Sequence, residues 1–87
     1  MRIALLIDSP PSARYHLATV DAINHAARAL DAPVDLRVLQ TDAHGLRADL
    51  QSIDGVIIGP GSPYRDERAV WDVVRSARER GVPLVGT

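Results

Sequence analysis

Two rhythms of apolar and polar positions run along these 87 residues. From Arg2 to Ile7 the run RIALLI is almost continuously apolar, and Asp8 and the breaker pair Pro10-Pro11 close it. Such a run predicts a first strand buried on both faces, because a parallel strand sandwiched between helices has no wet side to alternate with. Ser12 then stands where an N-cap is wanted. Leu17, Val20, Ala22, Ile23, Ala26, Ala27 and Leu30 recur at steps of three and four, predicting a helix of about 18 residues with one apolar stripe. Asp31-Ala32-Pro33 ends it. Val34, Leu36 and Val38 alternate strictly with Asp35 and Arg37, the pattern of a strand with one wetter face at a sheet edge. Leu46 and Leu50, four apart, suggest a short helix. Val56 to Gly59 (VIIG) is a short, fully apolar run of the central-strand kind. After the turn GPGSPYR, Asp66 and Glu67 put negative charge where a helix N-terminus favours it, and Ala69, Val70, Val73, Val74 and Ala77 mark that helix's buried stripe up to Gly81. The last apolar run, Val82 to Val85, predicts a fourth strand.

Strand and helix therefore alternate throughout. With right-handed crossovers this predicts a single α/β domain over residues 1–87: a three-layer, doubly wound parallel sheet of flavodoxin-like type with helices on both faces. About four strands is thin for such a sheet, which commonly carries five or six, so an incomplete sheet is expected.

Composition narrows the chemistry. With no Phe, one Trp and two Tyr the core has to be aliphatic. A formal net charge of -1 gives no field that would favour nucleic acid or an anionic membrane surface. Every basic side chain other than histidine is Arg, which excludes an internal lysine amine, and the absence of Cys excludes disulfides, thiolate metal sites and an internal thiol nucleophile. The apolar start is too short for a signal peptide, and no stretch approaches the roughly 20 apolar residues of a membrane span. A cytoplasmic location is the expectation, with no cofactor and no metal.

In open parallel sheets ligands bind beyond the carboxyl ends of the strands, which directs attention to Asp8–Ser12, to Gly59–Arg65, and to whatever follows Thr87. In the middle loop, Gly59 and Gly61 are expected to take backbone angles closed to other residues and to leave N–H groups uncovered for an anion or a developing oxyanion. A plain tight strand-to-helix connection explains the same residues equally well. Several ligand classes are excluded by what is missing. A phosphate-binding P-loop needs a Lys, a dinucleotide fingerprint needs three spaced glycines after the first strand, and a phosphoacceptor receiver needs an Asp after the third strand and a later Lys. A flavin mononucleotide turn needs more hydroxyls than Ser9 and Ser12 supply. His16, His25 and His44 lack metal-ligand spacing, so solvated or capping roles are expected, although His16 falls near the functional rim. Trp71, off the buried stripe beside Arg75 and Arg78, is expected to pack at the edge of the core rather than to contact another chain.

The stretch DGVIIGPGSPYR, the helix after it, and ARERGVPLVGT resemble the class I glutamine amidotransferase domain, in particular the glutaminase domain of CTP synthase and its smaller CTP-synthase-like relatives. HLATVDAINHA, from His16 to Ala26, resembles the first helix of that family. The resemblance implies that the loop of Pro60, Gly61 and Ser62 supplies main-chain N–H groups of Gly61 and Ser62 to an oxyanion hole, and that Pro60, Gly61, Ser62, Tyr64 and Arg65 help to hold glutamine. Ser62 stands where the family usually has a second glycine, which spares the amide but alters the fit for glutamine. In that family a strand ending in Gly-Thr leads into the nucleophile elbow, where a cysteine attacks the glutamine amide. The resemblance thus implies an N-terminal part of the fold. Its nucleophile Cys, and the His and Glu that serve it, would lie on a second polypeptide or a further part of the same domain, and the chain alone would be inactive. A non-catalytic α/β binding or assembly module that forms a stable oligomer is the alternative, and a small-molecule domain using the Gly61 loop for an anion is a third.

Overall fold

The computed structural model describes residues 1–8, 13–59 and 64–86. Its elements follow one another as β1 (Arg2–Leu6), α1 (Arg14–Ala29), β2 (Asp35–Leu39), α2 (Leu46–Asp49) with a 3-10 turn (Leu50–Ser52), β3 (Gly55–Ile58), α3 (Glu67–Arg80) and β4 (Leu84–Gly86). The four strands form one sheet in the order β2-β1-β3-β4, every pair parallel, so the strand order reverses direction at β1. The doubly wound α/β fold expected from the alternation is the one observed.

Register explains where the core lies. Ala4 pairs with Val56 and Leu6 with Ile58, so these four side chains share one face of the sheet. They pack with Leu46 from α2, Ile53, and Val73 from α3 into the main buried cluster. Leu5 and Ile7 point the other way and are also fully buried, on the side where the right-handed crossover from β1 to β2 puts α1. β1 thus needs apolar residues on both sides, and its sequence supplies them. β2 is the expected edge strand, with Val38 and the polar Asp35 and Arg37 exposed.

Helix ends follow local chemistry. At the head of α3 the Asp66 carboxylate accepts a hydrogen bond from the Ala69 N–H at 3.0 Å, a side-chain N-cap one residue before Glu67. Gly81 ends the helix at φ 69°, the left-handed region glycine enters without penalty, and the Val82 N–H closes back on the Ala77 carbonyl at 2.8 Å. At the other end of the sheet the Arg80 guanidinium donates to the Leu50 and Gln51 carbonyls, tying the end of α3 to the 3-10 turn.

Three sequence expectations are corrected. The buried face of α1 is rotated from the predicted stripe: His16 is its one buried residue, Val20, Ile23 and Ala27 are half-buried, Ala22 and Ala26 are exposed, and Leu17 and Leu30 stand out at 52% and 77% exposure. The wide Ala content of the helix made several stripes equally good by periodicity, and the one containing His16 faces the sheet. His16 is therefore not solvated. Trp71 is 68% exposed rather than packed at the core edge, because its position on α3 lies outside the Val73–Ala77 face. The predicted cap Ser12 lies outside the described residues, and α1 begins from Ala13 with no side-chain cap.

Candidate functional site

β1, β2 and β3 all end at the same rim, and there the described residues converge on one carboxylate. β1's apolar run finishes at Asp8, which is 7% exposed. β2 finishes just before Thr41, a fully buried hydroxyl. The Thr41 N–H donates to Asp8 Oδ1 at 2.8 Å, and the Thr41 hydroxyl donates to Asp8 Oδ2 at 2.7 Å. The Arg65 N–H, arriving from the connection that follows β3, donates to the same Oδ2 at 2.7 Å. The Thr41 oxygen in turn accepts from the Asp66 N–H at 3.0 Å. A single buried charge thus gathers donors from two of the three loops that meet at the switch point of the sheet.

The electrostatics agree with that geometry. Burial pushes the Asp8 carboxyl up, but the Thr41 hydroxyl, the Arg65 and Thr41 amides and the positive charge of Arg65 outweigh it and hold the group below its ordinary 3.8. Asp8 is an anion at neutral pH that accepts from three donors on its two oxygens, which suits it to hold neighbouring chain in place rather than to move protons.

The expected site residues divide at the described boundary. Pro60, Gly61 and Ser62 lie outside the described residues. Tyr64 and Arg65 are placed immediately after them. The Tyr64 ring packs against the main core cluster, and its hydroxyl donates to the Gly59 carbonyl at 3.0 Å. The Arg65 guanidinium faces Asp42 at 3.9 Å, a half-exposed pair of small energetic weight. Gly59 itself is corrected: it does not take a positive φ, and its lack of a side chain serves a close approach instead. A Cβ there would sit 3.0 Å from Cδ1 and 3.3 Å from Cβ of Ile7, a residue with almost no room to move. Gly59→Ala is accordingly expected to cost about 1–3 kcal/mol of stability by overpacking, measured as a shift in the urea midpoint with an unchanged slope.

Sequence reasoning named Asp8 as the end of a strand and the start of a rim loop, gave it no role of its own, and passed over Thr41. The available signal was that both polar residues directly follow apolar strand runs at the same rim. A groove of about 620 Å³ lies elsewhere, between α2 and α3 over Leu46, Leu50 and Val73. It sits on the helical flank, away from the rim. Among the described residues no group of three His, Asp or Glu is placed to hold a metal ion, and no helix is long and apolar enough to cross a membrane.

No protein-family profile matches the chain. It is similar to curated CTP synthases: 34% identical over 74 residues to that of Synechococcus sp. strain JA-3-3Ab, 36% over 72 residues to that of Methanospirillum hungatei JF-1, and 27% over 74 residues to that of Halalkalibacterium halodurans. Each alignment takes in 82% of this chain, while the chain spans only 13–14% of the length of these relatives. The chain is thus related in sequence to a short stretch of CTP synthase.

Proposed function

We propose that this chain is the N-terminal part of a CTP-synthase-like class I glutamine amidotransferase unit, in which Gly61 and Ser62 present main-chain N–H groups to the oxyanion formed during glutamine hydrolysis. The observation that carries the reading is the relation to CTP synthase over 82% of the chain, combined with the PGSPYR connection on a parallel sheet. The chain holds no cysteine, so the thiolate that attacks the glutamine side-chain amide belongs to another segment or a second polypeptide, together with the His and Glu that serve it. As the thiolate bonds to the amide carbon, charge develops on the carbonyl oxygen. The C–N bond then breaks, ammonia leaves with a proton from the histidine, and water later releases glutamate from the thioester.

Uncovered apolar surface supports completion by further protein. Parallel strands are ordinarily covered on both faces, yet Val85 on β4 is 59% exposed and shares its face with the half-buried Ile57 of β3. Trp71 stands exposed on the helix that precedes β4. A nucleophile-bearing segment that covered β4 would also bring its cysteine to the rim where β3 ends. Glutamine is the ligand on this reading, in a soluble assembly without cofactor.

The test is to mix the purified chain with the polypeptide encoded downstream of it and to measure glutamate released from glutamine. The expected result is no glutamate from the chain alone and steady release from the mixture. A folded, stable complex that releases none would favour the non-catalytic assembly module instead.

A further inference from the structure

We propose that the flank of α3 turned away from α2 is a self-complementary docking surface, through which two copies of this chain pair with their α3 helices antiparallel about a two-fold axis. The proposal does not depend on the glutaminase reading.

α3 presents two flanks, one on each side of its buried Val73–Ala77 face. One flank, carrying Asp72, Ser76 and Glu79, borders the groove toward α2. The other carries Glu67, Trp71, Val74 and Arg78, at steps of four, three and four residues, so these side chains form one stripe along the helix. In the sheet order β2-β1-β3-β4, α2 leads from β2 to β3 and α3 from β3 to β4, so the flank away from α2 looks toward the open edge beyond β4.

The stripe is ordered from end to end. Its acid stands in the first turn of α3, its base in the last, and Trp71 and the half-buried Val74 lie between them. Trp71, the single tryptophan of the chain, is 68% exposed, and a large aromatic left in water is the residue type that anchors interfaces. Neither Glu67 nor Arg78 takes part in an ion pair among the described residues, whereas Asp35 and Asp42 each have an arginine. A two-fold axis crossing the stripe at its middle, between Asp72 and Val73, sets Glu67 of one copy against Arg78 of the other and Trp71 against Val74, and then repeats both contacts in reverse. Parallel pairing would set acid on acid and base on base. Reversed, the stripe is its own complement, which is the reason to assign the surface to a second copy of this chain rather than to a different protein. One helix flank is a small contact, so a reversible dimer in the micromolar range is expected.

The test is sedimentation of the purified chain from about 1 to 500 μM, with Trp71 emission followed over the same range. Wild-type chain should pass from monomer to dimer as concentration rises, and the emission should shift to the blue as the indole leaves water. Trp71→Ala should weaken dimerisation by about 30-fold or more. Glu67→Arg and Arg78→Glu should each leave a monomer, because each sets like charges across the axis. An equimolar mixture of those two variants should nevertheless form a heterodimer, since each chain then supplies the charge that the other lacks, and the double variant should regain the homodimer. All three positions are exposed, so thermal midpoints of the dilute variants should stay near that of the wild-type monomer. A chain that remains monomeric throughout, or a dimer indifferent to these substitutions, would overturn the proposal. So would a mixture that associates no better than either variant alone. If the wild-type chain is monomeric and Trp71 emission shifts only when the polypeptide encoded downstream is added, the flank belongs to that partner and the two-fold pairing is refuted.

Discussion

Asp8→Ala is expected to lower the thermal midpoint of the chain by on the order of 15 °C, the largest loss of any single polar substitution among the described residues. The argument is a count of donors. Removing the carboxylate leaves the Thr41 N–H, the Thr41 hydroxyl and the Arg65 N–H without their acceptor in a site where Thr41 has no access to water. Hydrogen bonds to a charged group contribute about 1.5–3 kcal/mol each, and some of the stranded donors will find water or each other, so a net loss of about 3 kcal/mol is expected. A domain of this size has a total stability of only about 5–10 kcal/mol. Asp35→Ala is the control. Asp35 pairs with Arg2 and Arg37 in half-exposed bridges at 3.8 and 3.3 Å, and its loss should cost less than about 1 kcal/mol.

The same carboxylate predicts a pH dependence. Its folded-state pKa is depressed below the ordinary 3.8, so the stabilisation it provides is complete above that value. It is lost as pH falls below 3.8 and through the lower folded value, where the protonated group gives up acceptor strength toward Thr41 and Arg65. Unfolding midpoints measured from pH 7 to pH 2 should therefore drop in acid for the wild-type chain, and Asp8→Ala should flatten that drop. Equal acid sensitivity in the two proteins would assign the effect to other carboxylates.

How much of this could be read in the sequence depended on whether one residue or two decided each feature. The unbroken apolar runs at Ile3–Ile7 and Val56–Ile58 can be satisfied only by strands covered on both sides, and Val34 to Val38 only by an edge, so the order of layers was legible. Asp66 capping α3 and Gly81 ending it were equally local, each a matter of one residue and its own backbone. The face of α1 was not legible, because alanines at positions 18, 22, 26, 27 and 29 blur the periodic signal and a histidine occupies the buried position that an aliphatic residue was expected to fill. Gly59 was read as a matter of backbone angle when it is a matter of space beside Ile7, a residue 52 positions away. Asp8 and Thr41 stand 33 positions apart, and neither shows in sequence that it faces the other. The rim could be located from strand ends, while the carboxylate that organises it needed the register of β1 against β2 and β3.

The oxyanion role proposed for Gly61 and Ser62 would rest on main-chain N–H groups, and a main-chain donor has a clean chemical signature: proline removes it and alanine does not. In the reconstituted complex, Ser62→Ala keeps the amide and should release glutamate within a few-fold of the wild-type rate. Gly61→Pro or Ser62→Pro deletes a donor, and loss of one oxyanion donor typically lowers kcat by about 10²–10³-fold. The sheet, anchored through Leu6, Asp8 and Gly59, lies outside the change, so thermal midpoints should move little by comparison. The deciding measurement is kcat for glutamate release by the alanine and proline variants side by side. A loss of about two to three orders of magnitude confined to proline at position 61 or 62 is the predicted result. Proline variants at both positions that turn over glutamine as fast as Ser62→Ala would contradict the proposal.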